Sequence, residues 1–226
     1  MTEKVVLFDV VNTLVKEVKD ESAFLAEAIK GIYGFSVEVK ESDYDGVGFQ
    51  EAVETILLRN NVDNDYIKSN LSRIMEELPY SYYNFAGHDP IVTIDGAKEL
   101  LKALGGASLG LGLITGAAKG MVTNMFERSG IDSSQFKFEF YGNAGKTMSD
   151  IIKVAVESLS KEQKIGRESI FVVSSSQAVL SAAKTAGLTP IGVAVGKSSA
   201  TDLSSAGAKI VVTSLGDKQS IMDAVK

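Results

Sequence analysis

No cysteine occurs among the 226 residues, which excludes disulfide frameworks, thiolate nucleophiles and thiolate-held zinc together. Any chemistry therefore falls to oxygen and nitrogen groups. Tryptophan is absent as well, and His88 is the one histidine. Positive charge is in short supply: 23 Lys and Arg stand against 29 Asp and Glu, for a formal net charge of −6, and the basic residues are scattered. Without a basic stripe to track a phosphate backbone, no nucleic-acid partner is expected. Long hydrophobic runs are missing too. Asp9 interrupts the apolar stretch in MTEKVVLFDVVNTL, no small-residue cleavage site follows, and nothing approaches membrane-spanning length, so no membrane partner and a cytoplasmic location are expected. What the chain does have is 45% hydrophobic residues, enough for a substantial core in one large domain or a domain with an insertion.

Short β-branched or aliphatic runs recur at Val5 to Phe8, Leu111 to Ile114, Ile170 to Val173, Ile191 to Val195 and Ile210 to Val212, and read as buried strands. Phe136 to Phe140 alternates with Lys137 and Glu139 and reads as a half-exposed strand. Helical patterns lie between the later runs: Ala97, Leu100, Leu101 and Leu104; Met121, Met125 and Phe126; Ile151, Ile152, Ala155 and Leu159; Leu180, Ala183 and Lys184. Alternating strand and helix predict an α/β fold with a doubly wound parallel sheet.

The stretch from about Val15 to His88 reads differently, with no convincing strand and three helical stripes. One is Phe24, Leu25, Ala28, Ile29 and Ile32; another is Val53, Ile56 and Leu57; the clearest is Ile67, Leu71, Ile74, Met75 and Leu78, with Asn64 and Asp65 as candidate caps. The expected division is a core domain of 1–15 and 89–226 with a helical cap domain of 16–88, returning near Gly87 to Pro90 and lying over the end of the first strand.

Asp9 falls at the carboxyl end of a buried strand, where α/β sheets present ligands to their crevice. A capping aspartate at a strand-to-loop turn is the equal alternative. Three further segments follow in order. LGLITGAAKG puts Thr115 at the tip of a strand with Gly116 opening a helix, so that a hydroxyl and backbone N–H groups face an anion. YGNAGKTMSDII offers Lys146 as a compact positive charge before a helix, and SIFVVSSSQAVLSAAKTAGLTPIGVAVG is another strand, polar tip, helix and strand. GNAGKT is not a P-loop, because position 140, where its first glycine belongs, is Phe140; LGLGLITGAAKG is not a dinucleotide fingerprint, because its third glycine would be Thr115.

The ordered set resembles the haloacid dehalogenase (HAD) superfamily, whose pattern is hhhhDxDGTL, then a strand ending in Thr or Ser, then Lys, then hhhhGDSxxDxxxAxxAG. The resemblance covers nearly the whole chain. It implies a Rossmann-like core with an inserted α-helical cap, with Asp9 as nucleophile, Thr115 as phosphate-binding hydroxyl and Lys146 as ion-pairing lysine. Asn12, Gly116 and Ser175 join the implied phosphate-binding set. The tail IGVAVGKSSATDLSSAGAKIVVTSLGD is especially similar to phosphoglycolate-phosphatase-type members. The implied cofactor is Mg²⁺ with Asp9 among its ligands, and the implied partner is a small phosphorylated or otherwise anionic metabolite.

The chain departs from that pattern at the residues that carry its chemistry. Val11 replaces the second aspartate of the first motif and cannot move a proton, where general acid–base assistance contributes about 10²–10⁴-fold. Ser174 aligns with the glycine of the fourth motif, Ser175 with its first aspartate and Val179 with its second, so both acidic ligands are gone. Bringing a carboxylate within about 3.5 Å of a single negative charge costs roughly 5 kcal/mol at an effective dielectric near 20, which Lys146 offsets only in part. Asp150 reads as a first-turn helix residue rather than a replacement ligand.

The resulting expectation is a phosphatase-lineage protein with a degraded Mg²⁺ site, a retained anion pocket and weak or no phosphatase activity. The alternative is an active hydrolase using Asp9 as nucleophile, on an acyl phosphate or, without metal, on a 2-haloacid. Against the latter, Ser176 and Val179 stand where the dehalogenases keep Asn and Asp, and Arg59 and Arg73 look like ordinary helix-surface charges. His88, beside Asp89 and Pro90, reads as a solvated hinge residue. Tyr80, Tyr82 and Tyr83 read as packing the end of a helix with wet hydroxyls. Ser174, Ser175 and Ser176 read equally as anion donors or as the internal bonding of a tight turn. Oligomeric state has no signature in the sequence.

Overall fold

The computed structural model describes residues 4–17, 22–44, 47–86, 88, 90–107 and 109–226. Gly87 and Asp89, at the expected return from the insertion, lie outside the described residues.

Six parallel strands form the main sheet in the order β5-β4-β1-β6-β7-β8: β1 (Val5–Phe8), β4 (Gly110–Ile114), β5 (Phe138–Phe140), β6 (Ile170–Ser174), β7 (Thr189–Val193) and β8 (Ile210–Val212). The most central strands are continuous apolar runs because helices cover both faces. VVLF of β1 and IFVVS of β6 are buried throughout. The covering helices are α4 (Ala97–Gly106), α5 (Lys119–Ser129), α6 (Met148–Lys161), α7 (Gln177–Thr185), α8 (Ala200–Ser205) and α9 (Lys218–Ala224). One packed cluster, with Val5, Leu7, Val172, Ile152 and Leu159, fills the α6–α7 face of the sheet; a larger one with Phe8, Val173, Leu101 and Phe126 fills the other. The architecture is the α/β one, with a doubly wound parallel sheet, that the alternation predicts.

Three helices interrupt this pattern after β1: α1 (Ser22–Tyr33), α2 (Phe49–Arg59) and α3 (Asn64–Ala86). Each turns the stripe read from the sequence to the core, with Ile32, Leu71 and Met75 only partly buried. Phe24 stands edge-on to Phe49 of α2 at 5.7 Å and to Tyr82 of α3 at 5.4 Å. The insertion shares the larger hydrophobic cluster with the sheet rather than having one of its own. Among the described residues, no helix is long and apolar enough to cross a membrane.

Several expectations need correction. The insertion is flanked by an antiparallel ribbon of β2 (Val15–Glu17) and β3 (Ile91–Thr93), so a strand does begin at Val15; three residues are too few for alternation to show. The cap of α3 is Asp63, whose Oδ1 accepts the N–H groups of Asp65 and Tyr66 at 3.0 Å, rather than Asn64 or Asp65. Gly116 does not open a helix, since α5 starts at Lys119. The strand expected over Ile191 to Val195 runs Thr189–Val193, and Phe136, expected in β5, instead stacks on Phe126 at 5.6 Å. Arg59 is no ordinary surface charge: its guanidinium forks onto buried Asp43 at 2.6 and 2.9 Å and reaches the Glu38 carbonyl at 2.6 Å, fastening the α1–α2 connection. The tyrosines divide, with Tyr82 fully buried and its hydroxyl accepting from Arg128 at 2.6 Å while Tyr80 and Tyr83 stay exposed. His88 is exposed, its ring against Tyr83 at 5.1 Å.

Candidate functional site

Parallel strands bring Asp9, Thr115, Tyr141 and Ser174 to one end of the sheet, because each lies at or just past the carboxyl end of its strand. Two groups of residues divide that end between them.

The first surrounds Asp9, which is 7% exposed. Its N–H continues the β1–β6 ladder to the Val173 carbonyl at 3.0 Å. Oδ1 accepts the Val10 N–H at 2.9 Å, and Oδ2 accepts the Ser174 hydroxyl at 2.8 Å. The Ser174 oxygen in turn accepts the Ser176 N–H at 3.0 Å. Asn12 follows in the left-handed region at φ 58°, a conformation that asparagine tolerates better than most residues, and this suits the place where the family pattern has glycine. Its carbonyl accepts the Ser175 hydroxyl at 2.8 Å. Thr13 Oγ1 accepts the Ser175 N–H at 3.0 Å and donates to Ser175 Oγ at 3.3 Å. The hydroxyl protons of Thr13, Ser174 and Ser175 are thus each given to a protein acceptor. Ser176 caps α7. The turn uses its serines for its own bonding, the second of the two readings offered by the sequence, with one addition: Ser174 holds the Asp9 carboxylate. Thr13, wholly buried, was not singled out from the sequence, although the threonine of the first-motif pattern falls on it.

The second group faces the insertion. Thr115 Oγ1 accepts the Ala117 N–H at 3.2 Å; among the described residues, neither the Thr115 hydroxyl proton nor the Gly116 N–H reaches an acceptor. Lys146 stands in the loop before α6, whose capping box joins Thr147 to Asp150. Asp150 is thereby spent: its Oδ2 accepts the Thr147 hydroxyl at 2.8 Å and amide at 3.2 Å, holding its carboxyl below the usual range. The Lys146 ammonium is ion-paired with Glu54 of α2. Around this pair α2 begins hard against the core, with the Phe49 N–H donating to the Gly116 carbonyl at 3.3 Å and Gln50 Nε2 to the Gly142 carbonyl at 3.1 Å. Beside them Lys119 meets Glu139 at 3.0 Å and lies over the Tyr141 ring at 5.6 Å from its centroid. Burial, then the Glu139 charge, pushes the Tyr141 hydroxyl well above its ordinary value, so it stays protonated.

Among the described residues, no three His, Asp or Glu side chains stand together as a metal site, and Ser175 and Val179 occupy the positions where the family pattern has carboxylates.

A family profile described as haloacid dehalogenase-like hydrolase matches residues 3–187. The chain is 25% identical over 214 residues to a phosphoglycolate phosphatase of Vibrio vulnificus (strain YJ016), covering 94% of this chain and 92% of that protein. Among solved structures it is similar to a hydrolase from Pseudomonas syringae, at TM-score 0.73 and 19% identity over 98% of this chain and 99% of that one. It is also similar to a predicted phosphoglycolate phosphatase from Haemophilus somnus 129PT, at TM-score 0.69 and 19% identity over 98% of each chain.

Proposed function

The chain belongs to the haloacid dehalogenase-like hydrolase family, and from that premise we propose that it is a phosphatase-lineage member in which the anion-binding half of the site survives and the metal-binding half does not. Its ligand is a small phosphorylated or otherwise anionic metabolite, in keeping with a relative named as a phosphoglycolate phosphatase. Residues 16–88 act as a helical cap over a core of 1–15 and 89–226. Thr115, Gly116 and Lys146 meet the anion, with Asn12 and Ser175 at its margin.

The observation that carries this reading is the hydroxyl bonding around Asp9. Where a divalent cation needs several oxygen ligands, Ser174 donates a proton to Asp9 and Ser175 donates one to Asn12. Val11 stands where the family pattern has the acid that serves an alkoxide leaving group, and it cannot donate a proton. Turnover of ordinary phosphate monoesters is therefore weak or nil, and the role is binding or regulatory.

One feature favours a second reading, an active hydrolase. Asp9 is held from both sides by Val10 N–H and Ser174 O–H, the fixed orientation that an attacking carboxylate needs. Acetyl phosphate, with its good leaving group, is the ester on which such a group works with least help. Dehalogenation fits less well, since Val179 is buried and cannot activate the water that would cleave an ester intermediate.

The test is a panel of phosphate monoesters, acetyl phosphate and 2-haloacids, with and without Mg²⁺, on the parent and on Asp9→Asn. The proposal expects no Asp9-dependent turnover that Mg²⁺ stimulates. Mg²⁺-stimulated hydrolysis abolished by Asp9→Asn overturns it.

A further inference from the structure

We propose that Glu54 is a built-in competitor at the site: its carboxylate occupies the Lys146 ammonium that an incoming anion needs, and the ligand enters by displacing it. The inference rests on the anion-pocket reading and adds to it the residue that sets affinity.

The Lys146–Glu54 pair differs from the ordinary ion pairs of this chain. Lys161–Glu157 and Lys153–Asp150 join neighbours on one helix, with both side chains largely exposed. Lys146 and Glu54 instead join the core to the insertion, and the Glu54 side chain is only 14% exposed, against 51% for Lys146. Such a carboxylate is delivered by the docking of its helix. Gln50, one turn before it on α2, is bonded to Gly142, and Phe49 is bonded to Gly116. Gly48 lies so close to the Lys146 carbonyl that a Cβ there would come within 2.8 Å of its oxygen. The start of α2 therefore rests on both loops that carry the anion-binding residues, and Glu54 follows onto the lysine.

The electrostatic consequence is direct. While Glu54 is in place the pair is neutral, and an incoming anion gains little from Lys146. Once Glu54 is displaced, Lys146 is available to the ligand. Measured affinity is the difference between Lys146 with ligand and Lys146 with Glu54, so removing the Glu54 charge strengthens anion binding.

The experiment titrates inorganic phosphate into the full chain by calorimetry, comparing the parent with Glu54→Gln, Glu54→Ala, Lys146→Met and the Glu54→Gln/Lys146→Met double variant. The expected result is binding about fivefold tighter in Glu54→Gln than in the parent, the fold-change equivalent to about 1 kcal/mol for a partly exposed pair. That gain disappears in the double variant. Glu54→Ala carries the same comparison should Glu54→Gln lose the cooperative thermal transition of the parent. Unchanged or weaker phosphate binding in a folded Glu54 variant, with Lys146→Met still impaired, overturns the competitor and leaves the pocket standing. Binding that is insensitive to Lys146→Met, or absent from every folded variant, overturns the pocket and the competitor together.

Discussion

The two halves of the sheet's carboxyl end have kept different things. Around Asp9, three hydroxyls and the backbone of residues 10–13 and 174–176 are closed on one another, with each hydroxyl proton given to a protein acceptor. Around Lys146, contact is made instead by close backbone approach, by two hydrogen bonds from the start of α2 and by the Lys146–Glu54 ion pair. In the first half, serines stand at the glycine and first-aspartate positions of the family's fourth motif, and both are spent on internal bonds: Ser174 donates to the Asp9 carboxylate and Ser175 to the Asn12 carbonyl. In the second half the Lys146 charge is met by Glu54 of the insertion. On the proposed reading, local substitution removes the metal chemistry of a site and leaves the framework that admits an anion.

The largest expected effect breaks the second half. A Cβ at Gly142 would fall 2.0 Å from the Gly116 carbonyl oxygen, a backbone atom that cannot yield without moving the seat of α2. Gly142→Ala should cost about 3 kcal/mol, lowering the thermal midpoint by about 6–12 °C. A shift under about 2 °C would mean that the two loops are not held as close as described. Next, Ser174→Ala probes the first half, leaving Asp9 Oδ2 and the Ser176 N–H without the hydroxyl that serves both; denaturant unfolding should show a loss of about 2 kcal/mol.

A smaller effect separates the insertion's own stability from that of the site. Burial opposes charge on Asp43, but the Arg59 fork and the Lys40 amide outweigh it and hold its carboxyl below the ordinary 3.8. A depressed folded-state value contributes stability that is present above 3.8 and is lost as pH falls through the folded-state value. Arg59→Met should cost about 1.5 kcal/mol at neutral pH, allowing for the partial exposure of the guanidinium, and should flatten the acid limb of the stability curve. An unaltered acid limb would remove Asp43 from its cause. The smallest effect has the opposite sign: Asn12→Gly relieves a left-handed φ of 58° and should stabilise the fold by about 0.5 kcal/mol in the same unfolding assay.

Much of the framework was legible because its signals are local. Buried strands such as VVLF, GLGLI and IFVVS announce themselves by composition, and the positions of Asp9 and Thr115 follow from where the first two stop. The short elements were not legible: β2 and β3 have three residues each, and α8 has six, although Ser199 and Asp202 form a capping box that its sequence spells. Partners were illegible for a different reason. Ser174 reaches Asp9 from 165 residues away, and nothing near Lys146 in the chain indicates Glu54 as its counterion. Sequence shows which groups a site has, whereas the fold decides which of them are already spent on each other.

The central claim, that the Asp9 half no longer holds a divalent cation, is tested most directly by titrating Mg²⁺ into the full chain by calorimetry, with Asp9→Asn alongside. The account predicts no saturable heat up to millimolar Mg²⁺ in either protein. Saturable Mg²⁺ binding that disappears in Asp9→Asn would contradict it.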